Sequence, residues 1–320
     1  MSGHGKGDAK KVVIAALAGN LGIAAAKFVA AWLSGSAAML AEGVHSFADT
    51  GNQALLLLGM TLAKRDRPDL YQFGREKESY FWSFIVALLL FFMGGVFAVF
   101  EGVHRLTSGH ASEPGSVLIP LGVLLVSLLM EGGSFFVALR EFNKERAGRS
   151  LSDSLFRGKD PTIVIVLLED TAAMLGLTIA FLAIGVSWLL HSSVADAVGS
   201  IAIGLVLCGV GFLLARDIKS LLLGEGITTE MRAEVSALAE STPGVLKVTQ
   251  LLSMHLGPAA IVLALKVRVD PQTTVKELER MIDELEERVR ARFPEMKQIF
   301  VEPDGDYDIT RDPRLSMLPP

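Results

Sequence analysis

The sequence contains a single cysteine, Cys208, among its 320 residues. A disulfide within one chain and a metal cage built from cysteine thiolates are therefore both excluded. The chain also lacks a GxxxxGK[ST] phosphate loop, an HExxH zinc helix and a Gly-x-Ser-x-Gly nucleophile elbow. Its first ten residues are small and polar, and no small-residue cleavage site follows a short apolar core, so we expect no cleavable signal peptide. The sequence therefore contains none of these catalytic motifs that would suggest an enzyme.

Apolar residues, by contrast, are abundant and unevenly distributed. Hydrophobic residues make up 51% of the chain, and the mean hydropathy is +0.45, which exceeds the usual values of soluble domains. The net charge of −5 gives no sign of a nucleic-acid partner. The distribution predicts a short N-terminal segment, a membrane domain, a soluble domain and a polar tail, at residues 1–11, 12–223, 224–303 and 304–320.

The membrane domain is predicted to contain six transmembrane helices. Each apolar block is long enough to cross a hydrocarbon core of about 30 Å at about 1.5 Å per residue, and a backbone in lipid must satisfy its own hydrogen bonds. Lys and Arg are concentrated at the N-terminus, in two of the joints and after the last span, so both termini are predicted to be cytoplasmic. The predicted spans are 12–33, 37–63, 80–104, 116–139, 161–187 and 194–222.

Residues 224–303 are predicted to form a small α+β domain of αββαβ order, with a ferredoxin-like arrangement. A helix follows Thr228 or Thr229 and ends near Pro243-Gly244, and two strands, 245–256 and 259–269, are joined at Gly257-Pro258. Thr274 and Glu277 have the spacing of a capping box at the start of a second helix. A last strand is predicted at 297–302.

Ionisable residues lie inside two of the predicted spans. His45 and Asp49 are one helical turn apart in the second span, so their side chains share a helix face. The fifth span carries Glu169 and Asp170, with Val166 one turn before Asp170. Such residues are costly at membrane depth and usually mark an ion or proton path. An imidazole with carboxylates suits Zn²⁺, and also Mn²⁺, Fe²⁺ or Co²⁺.

We therefore predict a divalent-metal site made by His45, Asp49 and Asp170, with Glu169 either completing it or facing another helix. The plainer alternative is a His–Asp pair that closes a helix contact. Other polar residues in the spans are candidates for supporting or structural roles; they are Asn20, Lys27, Glu42, Asn52, Glu101, Glu131 and Asp196.

These features together resemble the cation diffusion facilitator family of metal cation transporters. The resemblance rests on the six spans, the His45-x-x-x-Asp49 pair, the acid in span five and the αββαβ domain. Leu168-Glu-Asp-Thr171 is similar to the span-five signature of a subgroup that includes a mitochondrial zinc transporter. Further matching strings are Ser34-Gly-Ser36, Phe73-Gly-Arg-Glu-Lys-Glu78, Ala195-Asp-Ala197 and Leu221-Leu-Leu-Gly-Glu225.

The resemblance implies a homodimer in the bacterial inner membrane that exports a divalent metal, zinc first, from the cytoplasm in exchange for protons. It implies no resident cofactor and no catalytic residue. The family's site has two ligands from span two and two from span five, and Val166 replaces one of them here. The loop at 69–75 has no histidine, and the soluble domain offers His255 with Glu302 and Asp304 on another segment, so we expect no metal at either place.

Two functions of other classes stay open at this point. The same metal could serve an intramembrane hydrolase, which would need an open coordination position and a base. The chain could also be a metal sensor that no longer transports, an alternative that Val166 suggests.

Overall fold

The computed structural model describes residues 21–65, 68–108, 117–146 and 161–304. The predicted N-terminal segment, the start of the first span, parts of three joints and the tail after Asp304 lie outside these residues. The chain divides into two compact units. The helical unit consists of residues 1–62 and 78–219, and the sheet unit consists of residues 63–77 and 220–320. Each unit is described by itself.

The helical unit is built from helices that follow the predicted apolar blocks. At most of their ends, the helices differ from the predicted spans by only a few residues. The helix of the fourth predicted span ends seven residues later than predicted. The helices are α1 (Leu21–Ser34), α2 (Ala37–Ala63), α3 (Lys77–Leu89), a π-helix (Leu90–Val96), α4 (Phe97–Thr107), α5 (Leu118–Arg146), α6 (Pro161–Leu190) and α7 (Val194–Leu223).

Three of the described helical stretches are long and apolar enough to cross a membrane. They are Lys77–Thr107, Leu167–Leu190 and Val194–Leu223, and the described parts of α1 and α5 include shorter apolar stretches. Helix α2 has 27 residues but is less apolar, because polar side chains such as His45, Asp49 and Asn52 occupy its middle. Large apolar side chains cover the outside of the unit, and Trp32 is 83% exposed. Such a surface is suited to lipid.

The contact between the α3–α4 stretch and α7 is unusually close. A Cβ built on Gly204 would lie 2.6 Å from the carbonyl oxygen of Gly95, and one built on Gly102 would lie 2.6 Å from that of Ala197. Glycines allow helix backbones to approach in this way inside a membrane. Gly95 lies in the π-helix, which no sequence pattern predicted. The two helical stretches are therefore locked together through backbone contacts.

The sheet unit has the predicted αββαβ order. Thr228 caps α8 by accepting a hydrogen bond from the Met231 amide, and the capping box of Thr274 and Glu277 is present at the start of α9. The two predictions on helix starts are thus confirmed. The elements are α8 (Thr229–Glu240), β1 (Val245–Gly257), β2 (Ala260–Val269), α9 (Val275–Arg292) and β3 (Met296–Pro303).

The three strands form one sheet in the order β1-β2-β3. Strand β2 pairs antiparallel with β1 and parallel with β3, so α9 supplies the crossover that a parallel pair requires. Leu263, Leu265 and Val267 alternate along β2 and are buried. They form one core with Val235 of α8 and Leu285 of α9. Apolar packing in this core therefore holds the domain together.

The segment before α3 also belongs to the sheet unit. The ring of Phe73 packs edge-on against Phe300 of β3, with centroids 6.3 Å apart. Glu76 lies 3.6 Å from the Lys297 ammonium. Gly74 has a φ of +86°, a left-handed conformation that glycine adopts without strain. Phe73 and Glu76 of the matching string thus pack beside β3.

Candidate metal site

His45 and Asp49 lie side by side on α2, as the sequence predicts. His45 Nδ1 is 3.4 Å from Asp49 Oδ1, and the His45 side chain is 1% exposed. Both ring nitrogens of His45 and Asp49 Oδ1 lack a hydrogen-bond partner in the described part of the chain. Buried polar atoms without partners are costly and need an explanation. A bound cation would supply one, because all three atoms can act as metal ligands.

Helix α6 contributes Glu169, which contacts residues of α2. Asn52 Nδ2, on α2, donates a 2.6 Å hydrogen bond to Glu169 Oε1, and Glu169 is buried. Glu169 also interacts with Asp49. Two neighbouring carboxylates repel each other when both are ionised. A bound cation would relieve this repulsion.

Asp170 is placed differently from Glu169. Successive residues are rotated by about a hundred degrees around a helix, and Asp170 is half-buried rather than buried. Glu169 contacts α2 through Asn52 and Asp49. Among the described residues, no group of three or more His, Cys, Asp or Glu is close enough together to hold a metal ion as it stands. The full ligand set thus stays a prediction.

A second buried polar cluster lies one turn from His45. The Lys27 ammonium, on α1, is 3.1 Å from Glu42 Oε2 and 2.6 Å from Ser46 Oγ, both on α2. It is also 3.9 Å from Glu131 Oε1 on α5. Lys27 and Glu42 are 1% and 0% exposed. Lys27 is thus paired with an acid inside the helical unit.

Asp196 fixes the start of α2. Its Oδ1 accepts a hydrogen bond from Ser36 Oγ at 2.6 Å, and its Oδ2 accepts one from the Ala37 amide at 2.5 Å. The carboxylate thus satisfies a free N–H group at the helix N-terminus, where negative charge is favourable. Arg105 donates to the carbonyl of Gly35 in the same turn. This bridge from α7 explains why the strings Ser34-Gly-Ser36 and Ala195-Asp-Ala197 occur together.

The sheet unit holds its candidate ligands in other contacts. His255 Nδ1 lies 2.9 Å from the carbonyl oxygen of Glu225. The Lys266 ammonium lies between Glu302 and Asp304, at 3.1 Å and 3.2 Å. The hydrogen bond that Lys266 donates to Glu302 raises the pKa of Lys266, so the ammonium form is favoured there. A cation from the protein itself therefore neutralises these two acids.

Comparison with known families decides the class of the protein. Residues 13–223 match the cation efflux transmembrane domain, and residues 227–305 match the cytoplasmic domain of cation efflux proteins. The chain belongs to the cation efflux family. This cation efflux protein is therefore a membrane protein with a helical transmembrane domain and a cytoplasmic domain that contains a small sheet. The family consists of transporters, so the intramembrane hydrolase is no longer supported.

Individual relatives show the same relationship. Metal tolerance protein C4 of Arabidopsis thaliana is 30% identical over 83% of this chain and 58% of its own length. The mitochondrial proton-coupled zinc antiporter SLC30A9 of Homo sapiens is 29% identical over 94% of this chain and 53% of its length. Magnetosome protein MamB of Magnetospirillum gryphiswaldense is 23% identical over 85% and 86%. The chain thus spans little more than half the length of the first two.

Proposed function

We propose that this protein exports divalent metal cations from the cytoplasm in exchange for protons, with zinc as the first substrate. The observation that carries the proposal is the buried His45 beside the partly buried Asp49 on α2, with the buried Glu169 of α6 interacting with Asp49. Charged and imidazole groups at membrane depth are expensive unless they serve an ion path. The similarity to a proton-coupled zinc antiporter supports the same substrate.

The proposed ligands are His45, Asp49, Glu169 and Asp170. His45 and Asp49 are neighbours on α2, Asp49 interacts with Glu169 of α6, and Asp170 follows Glu169. A nitrogen ligand with carboxylates suits Zn²⁺ and is also compatible with Mn²⁺, Fe²⁺ and Co²⁺. Zinc affinities of Glu169→Gln and Asp170→Asn proteins test the last two ligands. We expect both affinities to fall. If a variant keeps the parent affinity, the substituted residue is not a metal ligand.

Proton exchange follows from competition at the same atoms. A proton and a metal ion compete for the Asp49 and Glu169 carboxylates and for the His45 ring, because metal ligands must be deprotonated. When metal leaves the site, protons take its place. This exchange couples export to the proton gradient if the site opens to one side at a time.

The proposed membrane arrangement has six spans with both termini in the cytoplasm. Three described helices satisfy the length and hydropathy of a span, and the other predicted spans are α1, α2 and α5. The unequal distribution of Lys and Arg supports the orientation. We further propose a homodimer in a bacterial inner membrane, since the chain carries the family's cytoplasmic domain.

Zinc flux in sealed proteoliposomes tests the function. Vesicles that hold an acidic interior should accumulate Zn²⁺ from a more alkaline medium, and a protonophore should abolish the uptake. Protein-free vesicles provide the baseline, and parallel assays with Mn²⁺, Fe²⁺ and Co²⁺ establish selectivity. No flux of any metal by folded protein would favour the non-transporting sensor. Equal flux with and without the pH gradient would reject proton exchange.

A further inference from the structure

We propose that Glu42 is a second cation station on the transport path, and that the Lys27 ammonium occupies it as a tethered cation until an arriving metal ion displaces it. The inference rests on the proposed function, because it takes the His45–Asp49–Glu169 site as the main metal site. It assigns a role to two buried charges that this main site does not use.

The position of Glu42 places it on the same path as Asp49. The two residues are seven positions apart on α2, which is about two turns or about 10 Å along the same face. On α6, Glu169 and Gly176 are also seven positions apart. Glu169 interacts with Asp49, and Gly176 lies against Glu42. The polar face between α2 and α6 thus has two levels, one at Asp49 and one at Glu42.

Gly176 creates the space for the Glu42 carboxylate. A Cβ built on Gly176 would lie 2.5 Å from Glu42 Oε1, so a side chain there would require the Glu42 carboxylate to move from its present position. The carboxylate therefore reaches over the bare backbone of α6. In contrast, a Cβ on Gly185 of the same helix would meet nothing within 4 Å. The absence of a side chain at Gly176 thus leaves room for the Glu42 carboxylate.

Glu42 also keeps a coordination position free. Its Oε2 accepts from Lys27, but its Oε1 has no hydrogen-bond partner in the described residues, although the side chain is fully buried. A buried carboxylate oxygen without a partner is costly. The Oε1 atom is a ligand position of the kind that divalent cations use.

Lys27 has the chemistry of a displaceable occupant. A buried carboxylate needs a compensating positive charge, and an ammonium on a flexible four-carbon stem supplies one without fixed geometry. A divalent cation that arrives from the main site offers more charge and can bind Oε1 and Oε2 together. When Lys27 is displaced, Glu131 is the second carboxylate near it, at 3.9 Å. Lys27 therefore has an alternative partner while Glu42 holds the metal.

Counting bound zinc in the purified full chain tests the station. If Lys27 fills a cation position, Lys27→Met should bind one more Zn²⁺ per chain than the parent protein in equilibrium dialysis. Adding Glu42→Gln to Lys27→Met should remove the extra ion. A folded Lys27→Met protein that binds no more zinc than the parent would overturn the proposal.

The stability of the variant is a second readout. Lys27→Met leaves Glu42 buried without its cation, which is strongly destabilising in general. Excess Zn²⁺ should raise the melting temperature of Lys27→Met more than that of the parent protein, because the metal replaces the missing charge. An equal rise in both proteins would contradict the inference.

A variant that keeps Lys27 provides a further test if Lys27→Met does not fold. Glu42→Gln should lower the maximal zinc flux by about tenfold, as expected for loss of one interaction with a charged group, and leave zinc affinity unchanged. Glu101→Gln is the matched control, since it also removes a carboxylate paired with a cation, Arg105, in the transmembrane domain. Parent-like flux in Glu42→Gln would overturn the proposal.

The station and the main site can fail separately. Asp49→Ala removes a proposed ligand of the main site but leaves Glu42 intact. The double variant Lys27→Met/Asp49→Ala should therefore still bind one Zn²⁺ at Glu42. If Asp49→Ala alone binds zinc as well as the parent, the proposed main site is wrong. If the folded double variant binds no more zinc than Asp49→Ala with Lys27 present, the station is wrong.

Discussion

Asn52 Nδ2 donates a 2.6 Å hydrogen bond to Glu169 Oε1 and thereby ties the middle of α2 to α6. Both side chains are buried. The bond holds Glu169 on the side of α6 that faces Asp49, so Asn52 acts as a positioning residue for a proposed ligand. Groups that orient metal ligands usually affect metal affinity nearly as much as the ligands do.

Asn52→Ala should therefore weaken zinc binding by about 10- to 100-fold, the usual cost of losing such an orienting group. Isothermal titration of the purified protein with Zn²⁺ measures the affinity. Thr61→Ala is a suitable control on the same helix, because Thr61 is exposed and bonds only within α2 among the contacts described. Parent-like affinity in Asn52→Ala would mean that Glu169 needs no support from α2.

Asp196→Ala should destabilise the transmembrane domain. The substitution removes the acceptor for Ser36 and Ala37, and losing a cap costs about 1 kcal/mol or more. Thermal unfolding in detergent should show a lower melting temperature for Asp196→Ala and an intermediate value for Asp196→Asn, which keeps one acceptor oxygen. Equal melting temperatures for all three proteins would show that the bridge does not stabilise α2.

Gly204→Ala should also destabilise the protein, through crowding rather than lost hydrogen bonds. The added methyl group would meet Gly95 O at 2.6 Å and the Val99 amide nitrogen at 2.7 Å. Overpacking of this kind costs about 1–3 kcal/mol. Gly209→Ala on the same helix is the control, because its Cβ would meet nothing within 4 Å. If both variants unfold at the same temperature, the close contact between α7 and the α3–α4 stretch does not limit the stability of the protein.

The capping box makes the cytoplasmic domain sensitive to acid. Hydrogen bonds from the backbone and then the hydroxyl of Thr274 lower the pKa of Glu277 below its ordinary value of 4.5. The ionised carboxylate is thus favoured in the folded state. Its contribution is present above about pH 4.5 and is lost as the pH falls through the lower folded-state pKa.

Urea unfolding of residues 224–303 between neutral and acidic pH checks this contribution. The free energy of unfolding should fall on acidification in the parent domain. In Glu277→Gln the fall should be smaller, because the side chain no longer titrates. A pH dependence that is identical in both proteins would show that Glu277 has the same pKa in the folded and unfolded states.

Much of the fold is predictable from local patterns. Apolar blocks define the helices, and the spacing of Thr274 and Glu277 defines the start of α9, because these signals depend on neighbours in the chain. The alternation along β2 likewise predicts which side chains enter the core. In contrast, an α-helix and a π-helix bury the same kind of residues. The π-helix at Leu90–Val96 therefore could not be predicted.

The candidate site is only partly predictable, since its contacts join distant residues. His45 and Asp49 are found from their spacing on one helix. The rotation of α6 depends on packing, and a rotation of about one residue decides whether Glu169 or Asp170 meets Asp49. The pairing of Lys27 with Glu42 likewise joins two different helices. Sequence patterns identify these residues as unusual, but the structure is needed to pair them.

We propose that metal crosses the membrane through the site that contains Asp49. Zinc uptake into acidic-interior proteoliposomes, compared between the parent protein and Asp49→Ala at equal amounts of folded protein, tests this route. The carboxylate compensates a divalent charge in a medium of low dielectric constant, so its loss should abolish uptake. Asp49→Ala vesicles that accumulate zinc at the parent rate would contradict the account.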